Sequence, residues 1–534
     1  MNDSAPLDAA PRVPGPLGTA PLVTGKTAAL LALCCGVLYF LAFPGIDVWP
    51  LGFVAFVPLC VALYNRTAKQ ALWLGWIAGF TMTFTGFYWL LGMLRTFSGF
   101  PTIVCLLFMA LLSGYQAGRI ALMTWLFARG VSKGWPRFVC FALAFITSEH
   151  LYPLLFPWYF GATVHQVPAL TQIAEFGNPI VVGLTLLCSN WAISELLIAY
   201  LQKRPLLWKK AVPFAAVPLL SAAYGALRVS QIDQQVSQEE KLRVGVVQAN
   251  MSLFDKRNDR EQGLHRHLRL TRELQKEKPL DLVVWSETSV AGAISEDEVD
   301  GFYRELFTAK LKTPTVFGGL LVRPVDDERS YVLFNSALLS DQNGNIVGRY
   351  DKQYLLAFGE YLPFGDSFPI LYKWSPNTGR FSKGTSFAPL ALGNHLLSVH
   401  ICYEDVLPSF VNRLVDEKTP DVLINITNDA WFGDSTEPWI HLALASFRAI
   451  EHRRFFVRST NSGVSAIIDP AGRIQEHTGT FRQQAISGEI TMRRPTKTPY
   501  ELYGDLPWWL SALSSAFFAF SGPRGKKSAL KAAA

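Results

Sequence analysis

The chain has 534 residues, half of them hydrophobic and only 17% charged, against about 25% in ordinary soluble domains, so a purely soluble enzyme is excluded. The net charge of +7 points to nucleic acid only until its location is read. Fourteen Lys and Arg sit in short segments flanking apolar runs, with no acid among them, which leaves the remainder about seven net negative; the basic excess is a topology signal.

In chain order, residues 1–25 are rich in Pro, Ala and Gly and read as a disordered cytoplasmic tail without a cleavable signal peptide. Apolar runs follow at 27–43, 48–64, 71–91, 101–128, 138–156, 178–201 and 211–229, with an eighth at 506–520. Each approaches the ~20 residues that cross a bilayer core. Loops 65–70, 129–137 and 202–210 and the C-terminal tail carry Lys and Arg, whereas loops 44–47, 92–100 and 157–177 hold only Arg95. The positive-inside rule then puts both termini in the cytoplasm and residues 230–505 outside it. The domain reading is a seven-span membrane domain over 26–229, an extracytoplasmic domain over 230–505, a final span at 506–521 and a cytoplasmic tail at 522–534.

Arg119, Glu149, His150, Glu175 and Glu195 lie within or beside spans, where charge is costly. For Glu149 and Glu175 a functional role and snorkelling at a span end are both open readings. Arg119 lies deeper, and either a lipid phosphate or a carboxylate on a neighbouring helix would serve it.

Residues 230–240 read as a polar linker. Beyond it, strands and helices interleave. Strands are expected at 242–250, 281–288, 315–322, 331–341, 348–355, 421–429, 454–463 and 464–470, and helices at about 259–277, 296–310 and 437–451. That alternation predicts a two-sheet core flanked by helices. A loop rich in Pro, Gly and aromatics runs from 357 to about 385, where long loops in compact domains often act as lids.

The stretch LLSVHICYEDVLP (396–408) alternates as a buried strand and ends in Cys402. The other six cysteines lie in apolar segments, so Cys402 has no disulfide partner in its own domain. It is either a buried structural thiol or a nucleophile. Glu287 and Lys352 also end predicted strands. A carboxylate can deprotonate a thiol, and an ammonium can stabilise an oxyanion. Taken singly, Glu287 and Lys352 read as solvated surface charges. No metal-ligand cluster and no phosphate-binding glycine loop is read from the sequence; His265 and His267 sit on a charged helix without ligand spacing.

WSET (285–288), GRYDKQYLLAFGEYLPF (348–364), HICYED (400–405), NDAWFG (428–433) and RSTNSGVSAIIDPAG (458–472) together resemble the nitrilase, or carbon–nitrogen hydrolase, superfamily. That resemblance implies an α-β-β-α sandwich with a Glu–Lys–Cys triad. Placed among apolar spans, and joined by SEHLYPLLFPW (148–158), the domain is similar to that of the bacterial apolipoprotein N-acyltransferase family. The resemblance therefore implies a multi-span α-helical membrane bundle of about eight spans plus the nitrilase-like sandwich. It implies Glu287 as base, Lys352 as oxyanion residue and Cys402 as nucleophile, supported by Glu360, Tyr403 and Glu404. It implies transfer of an acyl chain from a membrane phospholipid, usually phosphatidylethanolamine, through a cysteine thioester to the diacylglyceryl-cysteine amine of an apolipoprotein. No cofactor, metal or nucleic acid is expected, and the bacterial inner membrane is the expected location. Phe358, Phe364, Phe368 and Trp374 are candidate lid and lipid contacts. The chain departs from the family at LFDKRN (253–258), where Arg257 stands in place of an aromatic residue.

Two competing readings are a membrane-anchored amidase and a transporter or receptor with a non-catalytic sensor domain. One anchor would suffice for the first, and an intact Glu287, Lys352 and Cys402 set argues against the second.

Overall fold

Period-two alternation of β-branched and aliphatic residues decides the sheets, and a computed structural model shows how they stack. It describes residues 20–206, 208–252, 260–290, 292–301, 311–325, 331–357, 359–374 and 378–522. The expected tail over 1–25, residues 302–310 of the expected 296–310 helix, the C-terminal tail, Arg257, Phe358 and the side chain of Trp374 lie wholly or largely outside the described residues.

The first sheet holds β1 (Lys241–Gln248), β2 (Leu282–Trp285), β3 (Ala293–Ser295), β4 (Thr315–Pro324), β5 (Tyr331–Ser340) and β6 (Ile346–Asp351). The second holds β7 (Leu390–Leu392), β8 (His395–Ile401), β9 (Val422–Thr427), β10 (Phe456–Thr460), β11 (Ala466–Ile468) and β12 (Ile474–His477), while β13 (Gln484–Thr491) crosses back to pair with β1. The order is β13-β1-β2-β4-β5-β6, with β3 beside β4, and β12-β11-β10-β9-β8-β7. Strands β8, β9 and β10 run parallel, so their C-terminal ends share one edge.

Val244, Val246, Val284 and Val316 of the first sheet and Val399, Ile401, Ile424 and Val457 of the second share one buried core between the sheets. Outer faces are covered separately. Val283, Trp285 and Phe317 pack with Leu268 and Leu274, and Leu423 and Phe456 pack with Val411, Val415 and Leu442. The result is the expected α-β-β-α sandwich.

The membrane-type region contains α1 (Gly25–Leu41), α2 (Val57–Ala62), α3 (Ala68–Gly86), α4 (Trp89–Ser98), α5 (Thr102–Gln116), α6 (Gly118–Ser132), α7 (Arg137–Leu151), α8 (Pro168–Thr171), α9 (Asn178–Leu201) and α10 (Trp208–Ser237). Among the described residues, three helical stretches are long and apolar enough to cross a membrane: 102–132, 178–201 and 208–237. The pair α3 and α4 makes a fourth if its 63° bend lies within one span. The other expected spans are shorter or broken. Residues 48–64 divide into a 3-10 turn at Trp49–Phe53 and the short α2, each with Pro at its start. Large apolar side chains nonetheless stand exposed on these helices, among them Ile103, Leu107, Leu111, Leu219, Leu220 and Leu227. Such surface is not left to water in a stable monomer.

Two expectations are corrected. Residues 230–240 are not a linker up to Ser237: α10 continues through them, since the segment lacks Gly and Pro and is rich in Gln, a good helix former. Glu149 and Glu175 do not snorkel. Glu149 is buried against Arg119 at 3.1 Å, and Glu175 against Arg453 at 2.8 Å and Arg228 at 3.1 Å. Arg119 therefore takes the carboxylate, with Tyr39 and the Trp158 carbonyl as further partners. The Arg453 pair ties the sandwich to the bundle.

Candidate active site

Strand ends bring the three candidate residues together. Cys402 directly follows β8, Lys352 directly follows β6, and Glu287 lies two residues beyond β2. Cys402 has φ of +57°, a left-handed conformation that a non-glycine residue adopts only when its surroundings impose it. It opens a 3-10 turn, Cys402–Val406. Close approach also fixes Glu287. A Cβ on Gly318 of β4 would stand 2.4 Å from the Thr288 nitrogen and 2.8 Å from the Glu287 Cα, so only glycine admits this loop.

The Lys352 Nζ lies 3.8 Å from Glu287 Oε1 and 2.8 Å from Glu360 Oε2, and all three are largely buried. Asn335 Nδ2 donates to Glu287 Oε1 at 2.6 Å and to Glu360 Oε1 at 3.1 Å, which sets the two carboxylates side by side. Burial opposes the charge on Lys352, but Glu360, Cys402 and Glu287 outweigh it and hold the ammonium protonated. Burial pushes the Cys402 thiol well up; Lys352 draws it back down, while Glu287 and Glu360 push it further up. A resting thiolate is therefore disfavoured, and ionisation must accompany proton transfer to a neighbouring base.

Glu404 clamps these pieces. Its Oε1 accepts from the Gln353 and Tyr354 N–H groups at 2.7 and 2.9 Å, and its Oε2 accepts from the Ile401 N–H at 2.7 Å and the Tyr350 hydroxyl at 2.9 Å. One side chain thus bolts the Lys352 segment to the strand that ends in Cys402. Burial pushes its carboxyl up to about 7 against the pull of these donors.

Sequence reasoning missed Asn335 and a second, deeper set. Asp405, Asp429, His441 and Arg458 are each almost wholly buried. His441 bridges Asp405 at 2.8 Å and Asp429 at 3.1 Å, and Arg458 binds the same two aspartates at 2.7 and 3.0 Å. Arg458 also donates to Asn425, whose amide donates to the Cys402 carbonyl at 3.0 Å. Asp429, Glu437 and His441 place ligand atoms within 4.8 Å of one another, as a cation site would. Here the guanidinium and the imidazolium supply the positive charge. Asp405, Asp429 and Arg458 fall within the motifs HICYED, NDAWFG and RSTNSGVSAIIDPAG, but they and His441 are far apart in sequence and follow no local period that would assemble them.

The bundle reaches the nucleophile through aromatic rings. Phe156, of the 148–158 stretch, lies 6.1 Å centroid to centroid from Tyr403, and Trp89 lies 5.1 Å from Phe432, itself 5.7 Å from Tyr403. The Tyr403 hydroxyl donates to Glu437. Of the lid candidates, Phe364 and Phe368 are 76% and 60% exposed, an unusual state for phenylalanine in a folded domain.

The sandwich and the membrane-type region each resemble known proteins. The family profile for carbon-nitrogen hydrolases matches residues 243–500. The solved structure of Saccharomyces cerevisiae Nit3, a nitrilase-superfamily member, is similar at 19% identity over 50% of this chain and 95% of its own, with a TM-score of 0.36. The profile for the apolipoprotein N-acyltransferase N-terminal domain matches residues 35–192. Similar relatives named apolipoprotein N-acyltransferase include one from Azotobacter vinelandii, 30% identical over 89% of this chain and 91% of its own length. Another, from Geobacter metallireducens, is 29% identical over 92% and 94%. The chain belongs to the apolipoprotein N-acyltransferase family.

Proposed function

We propose that this chain acylates the N-terminal amine of membrane-held apolipoproteins by a two-step transfer through Cys402. The observation that carries the reading is the buried Glu287–Lys352–Glu360 cluster, electrostatically coupled to the Cys402 thiol, at a sheet edge joined by Phe156 and Trp89 to an apolar bundle. In the first step the Cys402 sulfur attacks the ester carbonyl of a phospholipid, with phosphatidylethanolamine the proposed donor. Glu287 takes the thiol proton and Lys352 faces the developing oxyanion. Collapse breaks the ester bond; the lysophospholipid oxygen leaves with that proton, and a thioester remains. In the second step the acceptor amine attacks the thioester, gives its proton to Glu287, and expels the thiolate as the amide forms.

The membrane arrangement is part of the same proposal. Eight spans put both termini in the cytoplasm and the sandwich over 230–505 outside it, above a bacterial inner membrane. Neither lipidated substrate leaves the bilayer readily, so the site must stand at its surface. The exposed Phe364 and Phe368 support a lid that closes on acyl chains and keeps water from the thioester.

The test uses purified full-length protein with phospholipid and no acceptor. Wild type accumulates an acyl adduct on Cys402 and releases lysophospholipid, read by intact mass and hydroxylamine sensitivity. Cys402→Ser and Glu287→Gln form none, and Lys352→Ala is slowed by on the order of 10²–10³. An adduct on another residue, or normal acylation of Glu287→Gln, would show the roles to be wrong.

A further inference from the structure

At the opposite end of the parallel strands from Cys402 lies a cavity of about 510 Å³, lined by Arg228 and Gln235 of α10, by Gln238 and Glu239 just after it, and by Arg453, Arg493, Arg494, Pro495 and Thr496 of the sandwich. The helix Glu437–His452, 16 residues and about 24 Å long, starts beside Tyr403, where Glu437 accepts from its hydroxyl, and ends next to Arg453 at the groove. The groove is not the catalytic cleft.

Its charge is uneven. Four arginines meet three carboxylates: Glu175 serves both Arg228 and Arg453, Asp421 pairs with Arg494 at 2.9 Å, and Glu239 lies 3.1 Å from Arg493 Nε. Arg493 is 94% buried, with only 6% of its surface exposed. Its Nη2 donates to Gln235 at 3.1 Å, but its Nη1 has no acceptor among the described residues. Burial, and the neighbouring Arg454 and Arg228, weaken its hold on its proton. A buried guanidinium with an open donor is a site that an anion would complete.

Helix α10 says where that anion comes from. Trp208 to Leu227 spans 20 residues, about 30 Å, the thickness of a bilayer hydrocarbon core. Leu219, Leu220 and Leu227 on this stretch are each about two-thirds exposed or more, and the next residue is Arg228. The groove therefore starts where the apolar surface ends, at the depth of lipid phosphates. We propose that it binds the phosphodiester headgroup of an anionic phospholipid, with Arg493 as the central contact and Arg228 and Arg494 flanking it. The inference takes from the proposed function only the placement of α10 in a bilayer; it needs neither the triad nor the acyl transfer.

The experiment is native mass spectrometry of the full chain released from detergent, with phosphatidylglycerol, phosphatidylcholine or inorganic phosphate added. Wild type is expected to retain one phosphatidylglycerol and to retain phosphatidylcholine poorly. Arg493→Gln should weaken that retention by about tenfold, the loss of one charge-assisted hydrogen bond. Glu239→Gln removes the acid that competes for Arg493 and should strengthen it, a gain that misfolding cannot mimic. Equal retention of phosphatidylcholine, displacement of the lipid by an equal concentration of inorganic phosphate, or retention unchanged in Glu239→Gln would each overturn the proposal.

Discussion

Two buried ionic groups flank the end of β8, and they are built on opposite plans. On one side, Glu287 and Glu360 share a single ammonium, Lys352, beside a thiol. On the other, Asp405 and Asp429 meet Arg458 and His441 in a ring in which each carboxylate has two cationic partners. The first group is short of positive charge and keeps capacity for a proton and a new bond. The second is balanced and closed. The closed ring reaches the open group through Asn425, which holds the Cys402 carbonyl. The difference teaches a division of labour: the balanced set stiffens the strand end so that the unbalanced set can stay reactive.

The largest effect should come from breaking the ring. Arg458→Met leaves two buried aspartates facing one imidazolium, and removing one partner from a buried pair costs about 3–5 kcal/mol. The thermal midpoint of the detergent-solubilised protein should fall steeply, with acylation lost as a consequence. A midpoint near wild type would show that the ring is not what holds the strand end. Breaking the clamp between the two groups should cost less stability and more chemistry. In Glu404→Gln a side-chain NH₂ must face two of the four donors that now point at the carboxylate, at least one of them a backbone N–H that cannot turn away, at about 1–3 kcal/mol. Displacement of Lys352 relative to Cys402 should slow adduct formation by on the order of 10²-fold. Smaller still is the lid. Phe364→Ser with Phe368→Ser should leave the midpoint unchanged, since both rings are exposed, and reduce transfer severalfold; unchanged kinetics would leave these rings without a catalytic part.

The open group was legible in the sequence and the closed one was not. Cys402, Lys352 and Glu287 each terminate a run whose alternation marks a buried strand, so their convergence follows from the sheet edge. Asp405, Asp429 and Arg458 stood inside the motifs HICYED, NDAWFG and RSTNSGVSAIIDPAG without a role, and they lie with His441 on four elements that only tertiary packing assembles. The sandwich was readable because strand and helix periods differ. The helix through 230–237 was not legible because a polar segment between an apolar run and a strand reads as a linker, whereas its Gln and Ile continue the helix. Hydropathy marked the apolar segments but carried no sign of the breaks near Pro58 or Tyr88, nor of the pairing of Glu149 with Arg119.

The smallest and most specific effect is one of pH. Burial and Arg458 both disfavour a charged His441, but Asp405 and Asp429 outweigh them and raise it from 6.5 to about 9. A histidine raised in the folded state adds stability that is complete below its unfolded value and is lost as pH rises through its folded one. The ring should therefore hold fully below about pH 6.5 and weaken progressively towards pH 9 and above. Glu437 beside it is pushed up to about 8 by burial and by Asp429, and its ionisation also lowers stability as pH rises, from its ordinary value of 4.5 through about 8. The two windows overlap, so the informative quantity is a difference. Thermal midpoints of wild type and His441→Gln, measured from pH 6 to pH 10, should lie furthest apart at the acid end and converge at the alkaline end. A gap that is constant or widens with pH would mean that a neutral imidazole closes the ring, and the charge balance that distinguishes it from the catalytic cluster would be lost.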